Sequence, residues 1–201
     1  TIEVLPALQA IAAYPDVSPV VRPAENSPVL FKRLLDLGAQ TLLVPYVQSA
    51  EEARNAVNAM RYGPNGMRGM AGMTRATRYG RVDDYFTGVE DELCLIVQVE
   101  TVDGLNALEA IATTDGVDGV FIGPADLSAS MGLPGQTSHP KVRAAIDDAI
   151  ARLQVLGVPS GILTLDTVEG ASFIDQGTNF TAVGVDLALL ANAVADLRQR
   201  F

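Results

Sequence analysis

Two carboxylates, Glu100 and Asp126, each close an apolar run in the middle of the chain. Residues 94–100 read Cys-Leu-Ile-Val-Gln-Val-Glu, and residues 119–126 read Gly-Val-Phe-Ile-Gly-Pro-Ala-Asp. Runs of Leu, Ile and Val with little alternation are typical of strands that are buried on both faces, as in a parallel sheet. Residues 101–114 between them have apolar side chains at helical spacing, so this stretch predicts a strand–helix–strand unit with two adjacent parallel strands.

Adjacent parallel strands end at the same edge of a sheet, so Glu100 and Asp126 are expected side by side there. The carboxyl edge of the strands is where α/β barrels keep their chemistry. Two neighbouring carboxylates repel each other unless a cation or a proton separates them. We therefore predict a divalent metal site, the alternative for each acid being a hydrogen bond to a nearby amide or arginine.

Helices and strands alternate along the rest of the chain. Ser27 with Pro28 is a plausible helix start, and Ser49 with Glu52 matches a capping box. The predicted helices span residues 1–14, 27–38, 49–62, 101–114, 139–157, 166–176 and 187–201. The predicted strands span residues 18–23, 41–47, 94–100, 119–126, 159–165 and 180–186.

Six strands, each followed by a helix, come after one helix that has no strand before it. This order favours an α/β fold of the (β/α)8 TIM-barrel type that lacks its first two strands. The expected domain is a single barrel over residues 1–201, without the first strand, first helix and second strand. Such barrels usually need about 250 residues. The alternative is an open doubly wound sheet, but no Gly-x-Gly-x-x-Gly sequence follows a predicted strand.

The composition narrows the class of protein. Hydrophobic residues make up 48% of the 201 residues and the net charge is −10, which argues against disorder and against nucleic acid or an anionic membrane as a partner. Cys94 is the single cysteine, so no internal disulfide is expected and a buried structural thiol is favoured. No apolar stretch reaches the ~20 residues of a membrane span, and no signal-peptide pattern opens the chain. We expect a cytoplasmic protein.

A glycine-rich segment interrupts the alternation between residues 63 and 80. It contains five glycines and the arginines Arg68, Arg75 and Arg78. Long loops in compact domains are usually functional or mobile. The arginines are expected either to form an anion-binding lid or to pair with nearby acidic side chains.

Six short sequences carry a resemblance to a known family. Read in chain order, they are Val-Val-Arg-Pro at 20–23, Gln-Thr-Leu-Leu-Val-Pro at 40–45, Gly-Met-Arg-Gly at 66–69, Val-Gln-Val-Glu-Thr at 97–101, Phe-Ile-Gly-Pro-Ala-Asp-Leu-Ser at 121–128 and Ala-Val-Gly-Val-Asp at 182–186. From end to end the chain resembles the HpcH/HpaI aldolase family. The resemblance implies a metal-dependent class II aldolase of aromatic catabolism, built as a (β/α)8 barrel and assembled as a hexamer. Its small-molecule substrates would be 4-hydroxy-2-oxo acids, cleaved reversibly through a metal-stabilised pyruvate enolate to pyruvate and an aldehyde such as succinate semialdehyde.

The resemblance also implies roles for individual residues. Glu100 and Asp126 would bind Mg²⁺, Mn²⁺ or Co²⁺, which suits hard oxygen ligands. Arg22 would be catalytic by stabilising the developing enolate charge, and it would also bind substrate. Gln98 and the backbone of Ala125 and Asp126 would hold pyruvate. Ordinary alternatives exist for Arg22, which could pair with a nearby acid, and for Gln98, which could hydrogen-bond inside the barrel.

Three further residues match the family with weaker local signals. Leu163 corresponds to an apolar wall of the pocket, although any strand leucine is more often core. Asp36 corresponds to an acid that raises the basicity of a catalytic histidine. That histidine lies upstream of Thr1 in the family pattern. His139 is the single histidine of this chain, and we expect it to be structural or exposed.

Two other functions remain open at this stage. One is a citrate-lyase-type carbon–carbon lyase that acts on acyl-CoA, since similar barrels carry that chemistry. The other is a catalytically silent barrel that binds a keto acid or a metal.

Overall fold

The computed structural model describes residues 3–201, and its centre is one parallel sheet. Six strands lie in chain order from one edge to the other, and every neighbouring pair is parallel. The strands are β1 (Val20–Val21), β2 (Thr41–Val44), β3 (Cys94–Val99), β4 (Gly119–Ile122), β5 (Ser160–Leu163) and β6 (Phe180–Ala182). A doubly wound sheet reverses its strand order at a switch point, so this order rejects the doubly wound alternative. The six strands form part of a barrel-like sheet.

Helices connect consecutive strands. They are α1 (Val4–Ile11), α2 (Pro28–Asp36), α3 (Ala50–Met60), α4 (Tyr85–Gly88), α5 (Val102–Asn106), α6 (Leu108–Ala112), α7 (Pro124–Ser130), α8 (Pro140–Leu156), α9 (Thr167–Asp175) and α10 (Asp186–Arg198). The predicted cap at Ser49 is present, because its hydroxyl accepts a hydrogen bond from the Glu52 amide at the start of α3. Pro28 opens α2 as predicted, but the Ser27 side chain before it makes no capping hydrogen bond. Residues 1 and 2 of the first predicted helix lie outside the described part.

The two faces of the sheet have different neighbours. On one face, alternate strand residues such as Leu42, Val97 and Ile122 are fully buried against helical side chains such as Phe31 and Leu153. Because side chains alternate along a strand, the residues between them point to the other face. In β3 those residues are Cys94, Ile96 and Gln98, and Glu100 continues the series. The strand pattern therefore directs Glu100 away from the helical layer.

The observed elements differ from the predicted ones chiefly in the middle of the chain. The fourth predicted strand ends at Ile122, and Asp126 lies in the first turn of α7 rather than at the end of a strand. Pro124 explains the difference, because a proline at the first helical position favours a helix start. The helix predicted over residues 101–114 is divided into α5 and α6 at Ala107. The short helix α4 and the 3₁₀ turn Val89–Glu92 were not predicted.

The glycine-rich segment runs without a regular element from the end of α3 to α4. A threonine, Thr77, is buried within it and donates a hydrogen bond to the Gly72 carbonyl. No helix of residues 3–201 combines the length and the apolar character needed to cross a lipid bilayer.

Candidate active site

Glu100 is a buried carboxylate held at both oxygens. It directly follows β3, and only 1% of its surface is exposed. Oε1 accepts a hydrogen bond of 2.9 Å from the backbone N–H of Tyr46, at the end of the neighbouring strand β2. Oε2 accepts one of 2.6 Å from Nε2 of Gln98. Since a carboxylate can accept about four hydrogen bonds, each oxygen keeps a lone pair for another ligand.

Gln98 joins Glu100 to Arg22. Nε of Arg22, which follows β1, donates a 3.0 Å hydrogen bond to Oε1 of Gln98. The Gln98 amide thus accepts from a cation at one end and donates to an anion at the other. These two bonds fix the amide orientation, and they bring together residues from the ends of β1 and β3.

Asp126 is the second carboxylate of the cluster. It lies in the first turn of α7 and is partly exposed. Burial raises the pKa of Glu100 to about 7, and the negative charge of Asp126 adds to this shift, while the Tyr46 N–H and the Arg22 charge oppose it. A carboxyl group with so high a pKa is one whose charge lacks sufficient compensation.

A divalent cation fits this donor set. It would supply the positive charge that the buried Glu100 and the neighbouring Asp126 lack, and carboxylate oxygens suit Mg²⁺ and similar hard ions. No group of three or more His, Cys, Asp or Glu side chains that could hold a metal is found within residues 3–201. Two carboxylates are nevertheless enough for Mg²⁺, which usually keeps several water ligands.

Space for this cluster depends on Gly123. A Cβ atom at this position would lie 2.6 Å from Oε2 of Glu100 and 2.8 Å from Nε2 of Gln98. Both distances are shorter than any ordinary van der Waals contact. A glycine between β4 and α7 is therefore required for the Gln98–Glu100 hydrogen bond.

Two clefts flank the cluster at the carboxyl edge of the sheet. A cleft of about 640 Å³ lies beside Arg22 and Tyr46. A smaller one of about 340 Å³ is lined by Ala125 and Leu163. Leu163 ends β5 and is 36% exposed, so it lines open space rather than the core. A larger cavity of about 1000 Å³ lies at the opposite edge, beside residues such as Gln40 and Leu93, away from these side chains.

Asp36 is not part of the cluster within this chain. It is the last residue of α2, which returns toward the amino edge of the sheet, and Arg68 donates to its Oδ1 at 3.0 Å. Lys32 donates to its Oδ2 at 2.6 Å. The role of Asp36 toward a histidine stays a prediction.

Arg68, Arg75 and His139 make contacts close to their own elements or to α2. Arg68 has no exposed side-chain surface and pairs with Asp36, and Nη1 of Arg75 donates to the carbonyl of Leu37 at the end of α2. Pairing with an acid, one of the two expectations for the loop, is thus observed for Arg68. Nδ1 of His139 accepts from the Lys141 N–H at the start of α8.

Two residues of the cluster were not predicted from the sequence. Tyr46 takes part through its backbone N–H, which no side-chain pattern reveals. Gly123 takes part by having no side chain. The available signal for Gly123 was its position between a buried strand and a proline, where a close approach of side chains to the backbone is common.

Comparison with known proteins adds family information. Residues 2–193 match the family model described as HpcH/HpaI aldolase/citrate lyase. The chain is 62% identical over 198 residues to a pyruvate aldolase of Rhizobium etli, covering 98% of this chain and 78% of that protein. It is 53% identical over 199 residues to a 4-hydroxy-2-oxo-heptane-1,7-dioate aldolase of Klebsiella pneumoniae, covering 98% of this chain and 75% of that protein.

A solved structure agrees with these matches. The crystal structure of an HpcH/HpaI aldolase/citrate lyase family protein from Burkholderia cenocepacia superposes with a TM-score of 0.94 at 38% identity. The match covers 98% of this chain and 79% of that one.

Proposed function

This chain belongs to the HpcH/HpaI aldolase/citrate lyase family and is a carbon–carbon lyase, and we propose that it reversibly cleaves 4-hydroxy-2-oxo acids to pyruvate and an aldehyde with a divalent cation. Succinate semialdehyde is the aldehyde we propose, in line with the name of the Klebsiella pneumoniae relative. Mg²⁺, Mn²⁺ and Co²⁺ all suit the proposed ligands.

The observation that carries the proposal is the buried Glu100 carboxylate beside Asp126. Glu100 is held by Tyr46 and Gln98, and Arg22 joins the same network. An acid, a second acid and an arginine at the carboxyl edge of parallel strands can bind a small anion together with a cation.

Glu100 and Asp126 are the residues that would hold the cation. When bound, a divalent cation withdraws electrons from a 2-oxo group and makes the enolate of pyruvate easier to form. The bond that breaks joins C3 to C4. Its electron pair moves into the enolate, the 4-hydroxyl group loses its proton to become the aldehyde, and a proton added at C3 then completes pyruvate.

Arg22 would stabilise the negative charge that develops on the enolate oxygen. Its Nε is already bound to Gln98, so the guanidinium plane is fixed while its two Nη groups make no hydrogen bond to any residue of 3–201. A guanidinium keeps its charge throughout the working pH range and can donate two parallel hydrogen bonds. A donor that is already oriented needs little reorganisation during the reaction.

Gln98, Ala125 and Leu163 would complete the substrate site. We propose that the backbone N–H groups of Ala125 and Asp126 receive the pyruvate carboxylate, since N–H groups in a first helical turn have no acceptor within the helix. Leu163 would bound the pocket on its apolar side. Asp36 would raise the basicity of a catalytic histidine, as the family resemblance implies.

The proposal also covers the barrel domain and the assembly of the protein. We propose that residues 1–201 form one (β/α)8 barrel domain that lacks its first strand, first helix and second strand. The chain covers 78% and 75% of the length of the two relatives named above. Assembly as a hexamer remains a prediction from the family resemblance.

A coupled assay tests the proposed reaction. The full-length protein is incubated with a racemic 4-hydroxy-2-oxo acid and Mg²⁺, and released pyruvate is measured with lactate dehydrogenase. We expect pyruvate release that stops with EDTA and returns with added Mg²⁺. Release of acetyl-CoA or a related thioester from acyl-CoA substrates, with none of pyruvate, would contradict the proposal.

A further inference from the structure

Tyr46 has an unusual backbone for its residue type. Its φ angle is 58°, in the left-handed region. Side chains with a Cβ atom rarely adopt this conformation because it crowds the Cβ against the backbone. The other three non-glycine residues with positive φ in residues 3–201, Arg78, Tyr79 and Asp84, lie in the long segment before α4. Tyr46 alone has this conformation at the candidate site.

The Tyr46 side chain does not explain the conformation. It is 51% exposed, and its hydroxyl group makes no hydrogen bond with any described residue. The backbone does offer an explanation, because the Tyr46 N–H donates to Oε1 of Glu100 at 2.9 Å. The next amide, that of the buried Val47, donates to the carbonyl of Gln98 at 3.1 Å.

These two adjacent amides restrict each other. Because the Val47 N–H is fixed to β3, a change of φ at Tyr46 must rotate the peptide group between Pro45 and Tyr46. That peptide group carries the N–H bound to Glu100. The left-handed conformation is therefore what allows one hydrogen bond to Gln98 and another to Glu100 from consecutive residues.

We propose that Tyr46 is a positioning residue, whose left-handed backbone directs its N–H to Glu100 and fixes that carboxylate for the divalent cation. The inference rests on the proposed function, since it concerns how Glu100 meets a cation. Partners that orient a metal ligand typically change metal affinity by 10- to 100-fold when they are lost.

Mn²⁺ binding to the full-length protein tests the proposal without measuring activity. The free Mn²⁺ signal in electron paramagnetic resonance gives the dissociation constant. Tyr46→Gly keeps the N–H and adopts positive φ without strain, so we expect an affinity within about twofold of the wild type. Tyr46→Val strongly disfavours positive φ, and we expect its affinity to fall by about 10- to 100-fold. Tyr46→Ala loses the phenol ring but keeps a Cβ atom like that of tyrosine, so we expect an affinity near that of the wild type. Tyr46→Thr is β-branched like valine and serves if the valine variant does not fold.

Each remaining outcome overturns a defined part of the account. Equal affinity in the wild type and in the valine and threonine variants, with folding intact, would overturn the positioning role alone. Equal weakening in Tyr46→Gly and Tyr46→Val would assign the effect to the lost phenol ring and also overturn it. No Mn²⁺ binding by the folded wild type would overturn the proposed function, and this inference with it.

Discussion

Nε2 of Gln98 donates a 2.6 Å hydrogen bond to Oε2 of Glu100, and both side chains are buried. Oε1 of Gln98 also accepts a hydrogen bond from Nε of Arg22, so the Gln98 amide links the arginine to the carboxylate. Gln98 thus holds the Glu100 carboxylate and the Arg22 guanidinium in place, in addition to making the substrate contact proposed for it.

Replacing Gln98 should weaken metal binding. Gln98→Met keeps the length of the side chain but removes the donor to Glu100, and we expect the Mn²⁺ dissociation constant to rise by about 10- to 100-fold. Gln48→Met is the matched control, because Gln48 bonds to Thr101 and not to Glu100. Isothermal titration calorimetry with Mn²⁺ compares the two, and equal affinities would refute the positioning role of Gln98.

Arg22 is expected to act mainly on the rate. Arg22→Lys keeps the positive charge but loses the planar guanidinium, which binds Gln98 through Nε and leaves both Nη groups free to donate. We expect kcat for pyruvate release to fall by about 10²- to 10³-fold, with the Mn²⁺ affinity little changed. A lysine variant with the wild-type kcat would remove Arg22 from the proposed charge stabilisation.

Gly123 should not tolerate even one methyl group. Gly123→Ala places a Cβ atom 2.6 Å from Oε2 of Glu100, so Glu100 or the backbone must move. We expect weaker Mn²⁺ binding and a loss of about 1–3 kcal/mol in the free energy of unfolding, as for an overpacked core. Gly88→Ala is the control, because no atom lies within 4 Å of its Cβ position. Equal stability and affinity of the two variants would contradict the close approach at Gly123.

The Asp36–Arg68 pair is expected to contribute to stability, in addition to the effect on a histidine that is proposed for Asp36. Arg68 has a side chain with no exposed surface, and Nε and Nη1 have no partner in the described part of the chain. Asp36→Asn would leave a buried guanidinium charge without its anion, at about 3–5 kcal/mol in the free energy of unfolding. The double variant Asp36→Asn, Arg68→Met should recover much of this loss in urea titrations. An unchanged free energy of unfolding in Asp36→Asn would contradict this contribution to stability.

Acid should remove the contribution of the Glu109–Arg152 ion pair. Hydrogen bonds from Arg152 lower the pKa of Glu109 to about 2, below its ordinary value of 4.5. A carboxylate with a lowered pKa stabilises the fold fully above its unfolded-state pKa, and this contribution disappears as the pH falls toward 2. Because Glu109 is half exposed, we expect at most about 1 kcal/mol.

Urea titrations of the wild type and Glu109→Gln between pH 6 and pH 3 measure that contribution. The difference in unfolding free energy should be largest at pH 6 and shrink as the pH falls. A difference that does not change with pH would show that the glutamine affects packing rather than the ion pair.

Local sequence patterns predicted most of the fold. Uninterrupted apolar runs located β3 and β4, and the caps at Ser27 and Ser49 located two helix starts, because these signals depend on nearby residues. The position of Asp126 was predicted less well, since β4 ends at Ile122 and Pro124 begins a helix two residues later. The two acids are still brought near each other, because both follow adjacent parallel strands.

Other parts of the site depend on contacts between distant residues. Asp36 looks like an ordinary helical acid until Arg68, 32 positions later, is seen to bind it. The Tyr46 N–H and the open space at Gly123 belong to the backbone, and residue types alone do not reveal them. The family resemblance supplied the roles of Arg22 and Leu163, which their local patterns do not specify.

The most direct test of a pyruvate-enolising site is exchange of the pyruvate methyl protons in D₂O, followed by NMR with the full-length protein. It requires no choice of aldehyde. We predict exchange with Mn²⁺ that stops with EDTA and is absent in Glu100→Gln. Folded, Mn²⁺-loaded wild-type protein that leaves the methyl signal unchanged would contradict the central claim.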